Sequence, residues 1–166
     1  MLFANTANAH NHNAKEYKFI KNLGQWNQNI NYKVALPEGN LYLESNRILV
    51  QLTDLSVIAQ IHTGAYKGDW DDAILKQHVY SASFVGANPN PTIFQEDLLE
   101  EYNNYYLGKD PTKWKSNVPL SHAVVYKELY NGVDLHIFSH NGSIKYEFHC
   151  ANYAAAQQIK LEYDGY

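Results

Sequence analysis

The sequence predicts an all-β fold: a mainly antiparallel, sandwich-like domain with one or two short helices. Three observations carry this. Most segments alternate apolar and polar residues at period two, the signature of half-buried strands. Turn chemistry separates them at Pro37 and Gly39, at Asn88-Pro89-Asn90-Pro91 and at Asn141-Gly142. Little of the chain reads at helical period, and many short strands with few helices pack as an antiparallel sandwich or a barrel-like β domain.

Taken in order, "INYKVAL" (30–36) is a strand closed by Pro37 and Gly39. "NLYLESNRILVQL" (40–52) reads as a hairpin turning at Ser45-Asn46. A two-residue loop there pairs Glu44 with Arg47 and gathers Leu41, Leu43, Ile48, Val50 and Leu52 on one face. "DLSVIAQIH" (54–62) fits a short helix with Asp54 as N-cap, ended by Gly64. Residues 65–73 read as a loop, and "QHVYSASFVGA" (77–87) as a strand. "EDLLEEY" (96–102) fits either a helical turn or the start of a strand.

The clearest signal is "GVDLHIFSHNGSIKYEFHCA" (132–151), where Asn141-Gly142 separates two alternating runs. If those two residues form the loop, Leu135 faces Phe148, Ile137 faces Tyr146 and Ser139 faces Ile144 on the apolar side. "NYAAAQQ" (152–158) then reads as a short helical crossover and "IKLEYDG" (159–165) as a last strand.

Composition narrows the function classes. The 166 residues, 45% hydrophobic and 14% aromatic with 14 Tyr, suffice for one folded core. A net charge of −4, with no run of Lys or Arg, argues against a nucleic-acid partner. One cysteine, Cys150, excludes an intramolecular disulfide and a Cys-rich zinc site. No apolar run reaches membrane-spanning length. "MLFANTANA" starts apolar and ends in Ala7-Asn8-Ala9, like the tail of a secretory signal peptide, and "HNHNAKE" follows it. Residues 1–16 therefore read as a signal-peptide remnant or a disordered N-terminus, and 17–166 as a single β domain. His10 and His12 in that first segment read as bystanders.

Two constellations could carry function. The first is aromatic. In "YNNYYLGKDPTKWKSNVP" (102–119), Asp110 caps a tight turn with Pro111 at its first helical position, and Gly108 permits a positive φ before it. This turn fixes the direction of Trp114. The expectation is a buried plug that locks the β scaffold. The rival reading is a sugar-stacking platform shared with Trp26 and Trp70, which also sit in polar loops. Tyr105 and Tyr106 point to opposite sides of an extended chain, so at most one joins Trp114.

The second is the polar side of the 132–151 hairpin, where Asp134 opposes His149 and His136 opposes Glu147. These four are the weak candidates for a metal, and Asp134 with Glu147 for a hydrolase. Residues two apart on a strand lie ~6.5–7 Å apart, however, which is too wide for one ion to gather all four. Complementary charges on a solvated sheet face explain them as well. Cys150 shares parity with Tyr146 and Phe148 and should point inward as an inert thiol. The adjacent acids Asp71/Asp72, Glu96/Asp97 and Glu100/Glu101 lie side by side, whereas a glycosidase needs carboxylates across a cleft. No phosphate-binding loop, nucleophile elbow or zinc-protease motif occurs, so no catalytic residue and no cofactor is assigned.

Four blocks taken together carry a family resemblance: "FIKNLGQWNQNINYKVALPEGNLYLESN", "FVGANPN", "YYLGKDPTKWKSNV" and "VVYKELYNGVDLHIFSHNGSIKYEFHCA". In that order the chain resembles an uncharacterised N-terminal β domain, DUF7948-like, of secreted Bacteroidota surface proteins. The resemblance implies an exported module ahead of SBBP repeats or Ig-like modules and a gliding-motility-associated, type IX secretion sorting domain. Its partners would be neighbouring domains of the same chain and, in the rival reading, surface glycans. It brings no catalytic residues. Gly24, Gln25, Trp26, Gly108, Asp110, Pro111, Trp114, Tyr130, Gly132 and Asp134 match its motifs and read as structural. "HCANYAAAQQIKLEYDG" departs from the usual Pro-Gly-containing turn.

Overall fold

The computed structural model describes residues 16–165, so the signal-remnant reading and His10 and His12 fall outside the described residues. The strands are β1 (Phe19–Lys21), β2 (Ile30–Leu36), β3 (Gly39–Glu44), β4 (Arg47–Thr53), β5 (Gln77–Phe84), β6 (Thr92–Tyr105), β7 (Lys115–Tyr130), β8 (Val133–His140), β9 (Ser143–Cys150) and β10 (Leu161–Asp164). Two short helices, α1 (Ser56–His62) and α2 (Tyr153–Ala156), complete the all-β domain. The pairing is antiparallel throughout, in the order β10-β5-β4-β3-β2-β1-β7-β8-β9, with β6 on the far edge of β7.

Both hairpin registers form as the sequence predicts. Leu43 pairs with Ile48 and Leu41 with Val50 across β3 and β4. Leu135 pairs with Phe148 and Ile137 with Tyr146 across β8 and β9. Asn141 (φ 50°) and Gly142 (φ 74°) both take the left-handed conformation that a two-residue hairpin loop requires. Residues 96–102 resolve to strand within β6. Asp54 accepts a bond from the Ser56 amide but stands one residue before the N-cap, Leu55, which has no side-chain cap. Leu52 shares the predicted face yet is exposed, because it lies opposite Gly39 at the end of the ladder, beyond the core.

The curl of the sheet originates at β7. One edge of this 16-residue strand pairs with β6. The other edge is shared end to end: β1 takes Leu120 and Ser121, and β8 takes Ala123 onwards. Beyond that fork the sheet parts into two wings, β1 to β5 with β10, and β6 to β9. Their inner faces meet in one core built from Tyr32, Val34 and Leu43 on one side and Val124, Leu129 and Leu135 on the other. Burying side chains of this size stabilises by about 1.5–3 kcal/mol each.

A fork interrupts backbone pairing, and side chains supply the missing partners. Ser121, fully buried, donates to the Ala123 carbonyl, and the Gln95 amide reaches the Pro119 carbonyl and the Ser121 hydroxyl. The Tyr17 amide donates to the Ser139 hydroxyl. Tyr126 crosses between the wings: its ring packs edge-on against Phe84 at 5.9 Å, and its hydroxyl donates to the Glu44 carbonyl at 2.8 Å.

Two outcomes test this account. Tyr126→Phe leaves the Glu44 carbonyl without its donor and should cost about 1–3 kcal/mol in denaturant unfolding. Burial pushes the Tyr126 phenol well above its ordinary value of 10.0, and pushes Tyr32 up to about 12. The folded state therefore holds these protons more tightly than the unfolded chain. Their contribution is whole below about pH 10 and is lost as pH rises above it, so the alkaline decline in stability should be shallower in Tyr126→Phe. Separately, Gly39 (φ 156°) opens β3 so close to β4 that an added Cβ would sit 1.8 Å from the Gln51 carbonyl oxygen. Gly39→Ala should lose at least about 2 kcal/mol, read as a lowered melting temperature.

Candidate functional site

The turn that aims Trp114 forms as its sequence dictates. Pro111–Lys113 make one 3-10 turn, and the Asp110 carboxylate accepts bonds from the Thr112 amide (3.0 Å) and hydroxyl (2.7 Å). Those bonds, side chain first, hold the Asp110 carboxyl below its ordinary value. Gly108 takes φ 75°, and its carbonyl accepts from the indole N–H of Trp114 at 3.3 Å.

The destination of the ring differs from the expectation of a buried plug. Trp114 is 40% exposed and stands outside the core cluster. The reason lies in the topology. From Lys115 to Pro119, β7 pairs with β6 alone, because β1 joins only at Leu120. On this two-stranded ribbon Tyr105 packs against Trp26 of the 22–29 loop, whereas Tyr106 and Trp114 stay exposed. Tyr106, 57% exposed, packs edge-on against Trp114 at 5.7 Å and hydrogen-bonds Ser116 through its hydroxyl. Leu107, the next residue in the chain, is 73% exposed.

Tyr105 and Tyr106 do part, as an extended chain requires. Tyr105 packs edge-on against Trp26 at 5.4 Å, while Tyr106 goes to Trp114. Trp26 is half-buried and carries the Lys33 ammonium 5.4 Å from its ring centre. Lys33 also lies 5.7 Å from the Tyr42 ring, and burial lowers its pKa. The loop holding Trp26 is organised by Asn22, whose carbonyl oxygen accepts from the Gly24 and Trp26 amides and whose amide donates to Asn27 and Ile30. A polar hollow of about 440 Å³ beside Trp26 includes Asn22, Gln28 and Asn31 but not Trp114. Trp70 begins a second 3-10 turn, Trp70–Asp72, and its side chain lies outside the described part of the structure.

The polar hairpin face has the predicted register, Asp134 opposite His149 and His136 opposite Glu147. Its side chains, however, pair differently. Partial burial pushes the Asp134 carboxyl up. Bonds from the Glu128 amide (2.8 Å) and the Lys127 ammonium (2.6 Å), with His136 nearby, outweigh that and leave it below its ordinary value. Glu128 sits at φ 52° where the β7–β8 ladder shifts register, and its carboxylate accepts from the Gly132 amide. Asp134 thus clamps a bulge. The rings of His136 and His149 stack 4.0 Å apart, with Glu147 3.4 Å from His149 and Glu96 3.7 Å from His136. Among the described residues, no three His, Cys, Asp or Glu side chains converge where a metal could sit.

Cys150 corrects a second expectation: it is exposed. Its parity is the predicted one, opposite Val133, but β9 ends the strand order, and the other wing does not extend over this end of it. Sequence reasoning also missed His122, which lies 3.0 Å from both Glu16 and Asp97. The signal for it was weak, because Asp97, which faces His122 across the β6–β7 ladder, takes a left-handed φ of 52° that period-two alternation does not encode.

The fold and these surfaces define an all-β domain with an exposed aromatic corner and a charge-paired sheet face. The chain belongs to the family described as domain of unknown function (DUF7948), whose model matches residues 19–166. No curated protein and no solved structure matches it. The described residues contain no helix long and apolar enough to cross a membrane.

The bulge clamp is testable. Asp134→Asn keeps an acceptor oxygen but gives up the charge that holds Lys127 and strengthens the bond from the Glu128 amide, and should lower the melting temperature. Because the folded carboxyl titrates below 3.8, this contribution is whole above that value and lost as pH falls through the folded value. The gap between wild type and variant in thermal unfolding should therefore close in acid.

Proposed function

We propose that this domain is a non-catalytic structural and adhesive module of an exported cell-surface protein, whose aromatic corner seats a neighbouring domain of the same chain. The observation that carries the reading is the pair Tyr106 and Trp114, held in fixed geometry by the Asp110 turn and yet left open to water. Rigid aromatic side chains with one polar atom satisfied are the residues interfaces favour, because they bury large area at small entropic cost. The motif resemblance supports the wider setting: a Bacteroidota surface protein with SBBP repeats, type IX secretion and a link to gliding motility or adhesion.

A second reading, a carbohydrate-binding module, is favoured by the polar hollow beside Trp26. Lys33 lies over that ring and Tyr105 packs edge-on against it, so a sugar could stack only on whatever indole surface these two leave open.

The experiment uses a variant with Trp114 as its sole tryptophan (Trp26→Phe, Trp70→Phe), as the isolated domain and within its parent chain. Acrylamide should quench the isolated domain readily and the parent chain several-fold less. Equal quenching in both sinks the docking reading. Retention on a glycan panel that Trp26→Ala abolishes would instead establish the saccharide reading.

A further inference from the structure

The end of the curl away from the aromatic corner holds a feature that the docking reading does not use. β9 and β10 are the two ends of the strand order. They follow one another in the chain through α2, lie in opposite wings, and each leaves one edge unpaired. Between them the core opens into a cavity of about 190 Å³. Leu41, Ile48 and Phe84 wall it from one wing, and Leu135, Ile137 and Phe148 from the other. Tyr146 and Tyr163 also line it and are 52% and 55% exposed, which places their phenols at the rim.

We propose that this cavity is a binding site for a small uncharged apolar molecule, one aromatic ring or a short alkyl chain ending in a hydroxyl-like group that bonds the two tyrosines. Size sets the first limit. A cavity of about 150 Å³ lined by aliphatic and aromatic side chains takes a benzene ring, so this one admits a ring or a short chain but not a β-strand with its side chains. Charge sets the second. Among the described residues, no ionisable group other than the two phenols lines it, so a carboxylate or ammonium group would lose its hydration without a counter-charge. The rim sets the third. A phenol hydroxyl both donates and accepts, so two solvent-facing phenols at the mouth can bond one neutral polar head. Close-packed interiors hold few voids of this size, and this one opens to water between the free edges of β9 and β10.

The test uses the whole chain and 1-octanol, with octanoate as the charged control. Octanol should raise the melting temperature and give cross-relaxation contacts to Ile137 and Phe148 in NMR. Octanoate near neutral pH, where it is ionised, should bind at least about tenfold more weakly. Ala82 also lines the cavity, and Ala82→Leu should fill it, keeping the fold while losing octanol binding about tenfold or more. Tyr163→Phe, which keeps the apolar wall, should weaken octanol binding and leave benzene binding unchanged. The proposal is overturned if saturating octanol leaves the Ile48, Ile137 and Ile144 methyl resonances of the wild type unmoved. Octanoate binding as tightly as octanol also overturns it. So does concentration-dependent dimerisation that competes with octanol, which would make a second copy the occupant.

Discussion

The structure depends on one constraint at β7: a strand edge offers each position to one partner, and here β1 and β8 divide that edge between them. Two strands leaving the same edge in succession cannot stay in one plane, since each continues into its own set of neighbours and the native twist carries them apart. The sheet therefore curls, and its two wings bury their apolar faces on each other. Ser121 and Gln95 matter because of this geometry. They bond backbone carbonyls near the fork at a buried site where water cannot, and an unpaired buried carbonyl would cost free energy comparable to a lost hydrogen bond. Tyr126 spans the gap that the fork creates and fixes the spacing of the wings through the Glu44 carbonyl.

The same constraint places both surfaces of functional interest. Where β7 runs past β1 it has only β6 for company, and at that ribbon's tip Tyr105 meets Trp26 while Tyr106 and Trp114 stay exposed. At the opposite extreme, β9 and β10 end the strand order without pairing to each other, and the core between them stays open. One extremity thus presents rigid aromatic area outward, and the other presents an apolar recess. The charged face of β8 and β9 is quieter. Lys127 and the Glu128 amide occupy Asp134, and the two imidazoles stack on each other. These contacts organise a bulge and a sheet face, as complementary cross-strand charges usually do.

By itself the sequence determined what is local. The Ser45-Asn46 and Asn141-Gly142 turns fixed both hairpin registers, because a two-residue loop leaves one pairing and alternation decides the buried face. Asp110-Pro111 fixed the turn beneath Trp114, and Gly64 the end of α1, for similar short-range reasons. Only the tertiary structure decided what lies over each face. The long β6–β7 ladder joins distant residues and shifts register between Leu98 and Tyr102 and between Asn103 and Tyr105, while β7 shifts against β8 between Tyr126 and Tyr130, which breaks alternation and blurs its signal. Parity correctly put Cys150 and Tyr146 on the inner side of β9, but whether that side is covered depends on how far the opposite wing reaches. Trp114 is the same case. Its direction is a matter of a few dihedral angles, while its exposure depends on β1 stopping short of the ribbon's tip, which no window of neighbouring residues records.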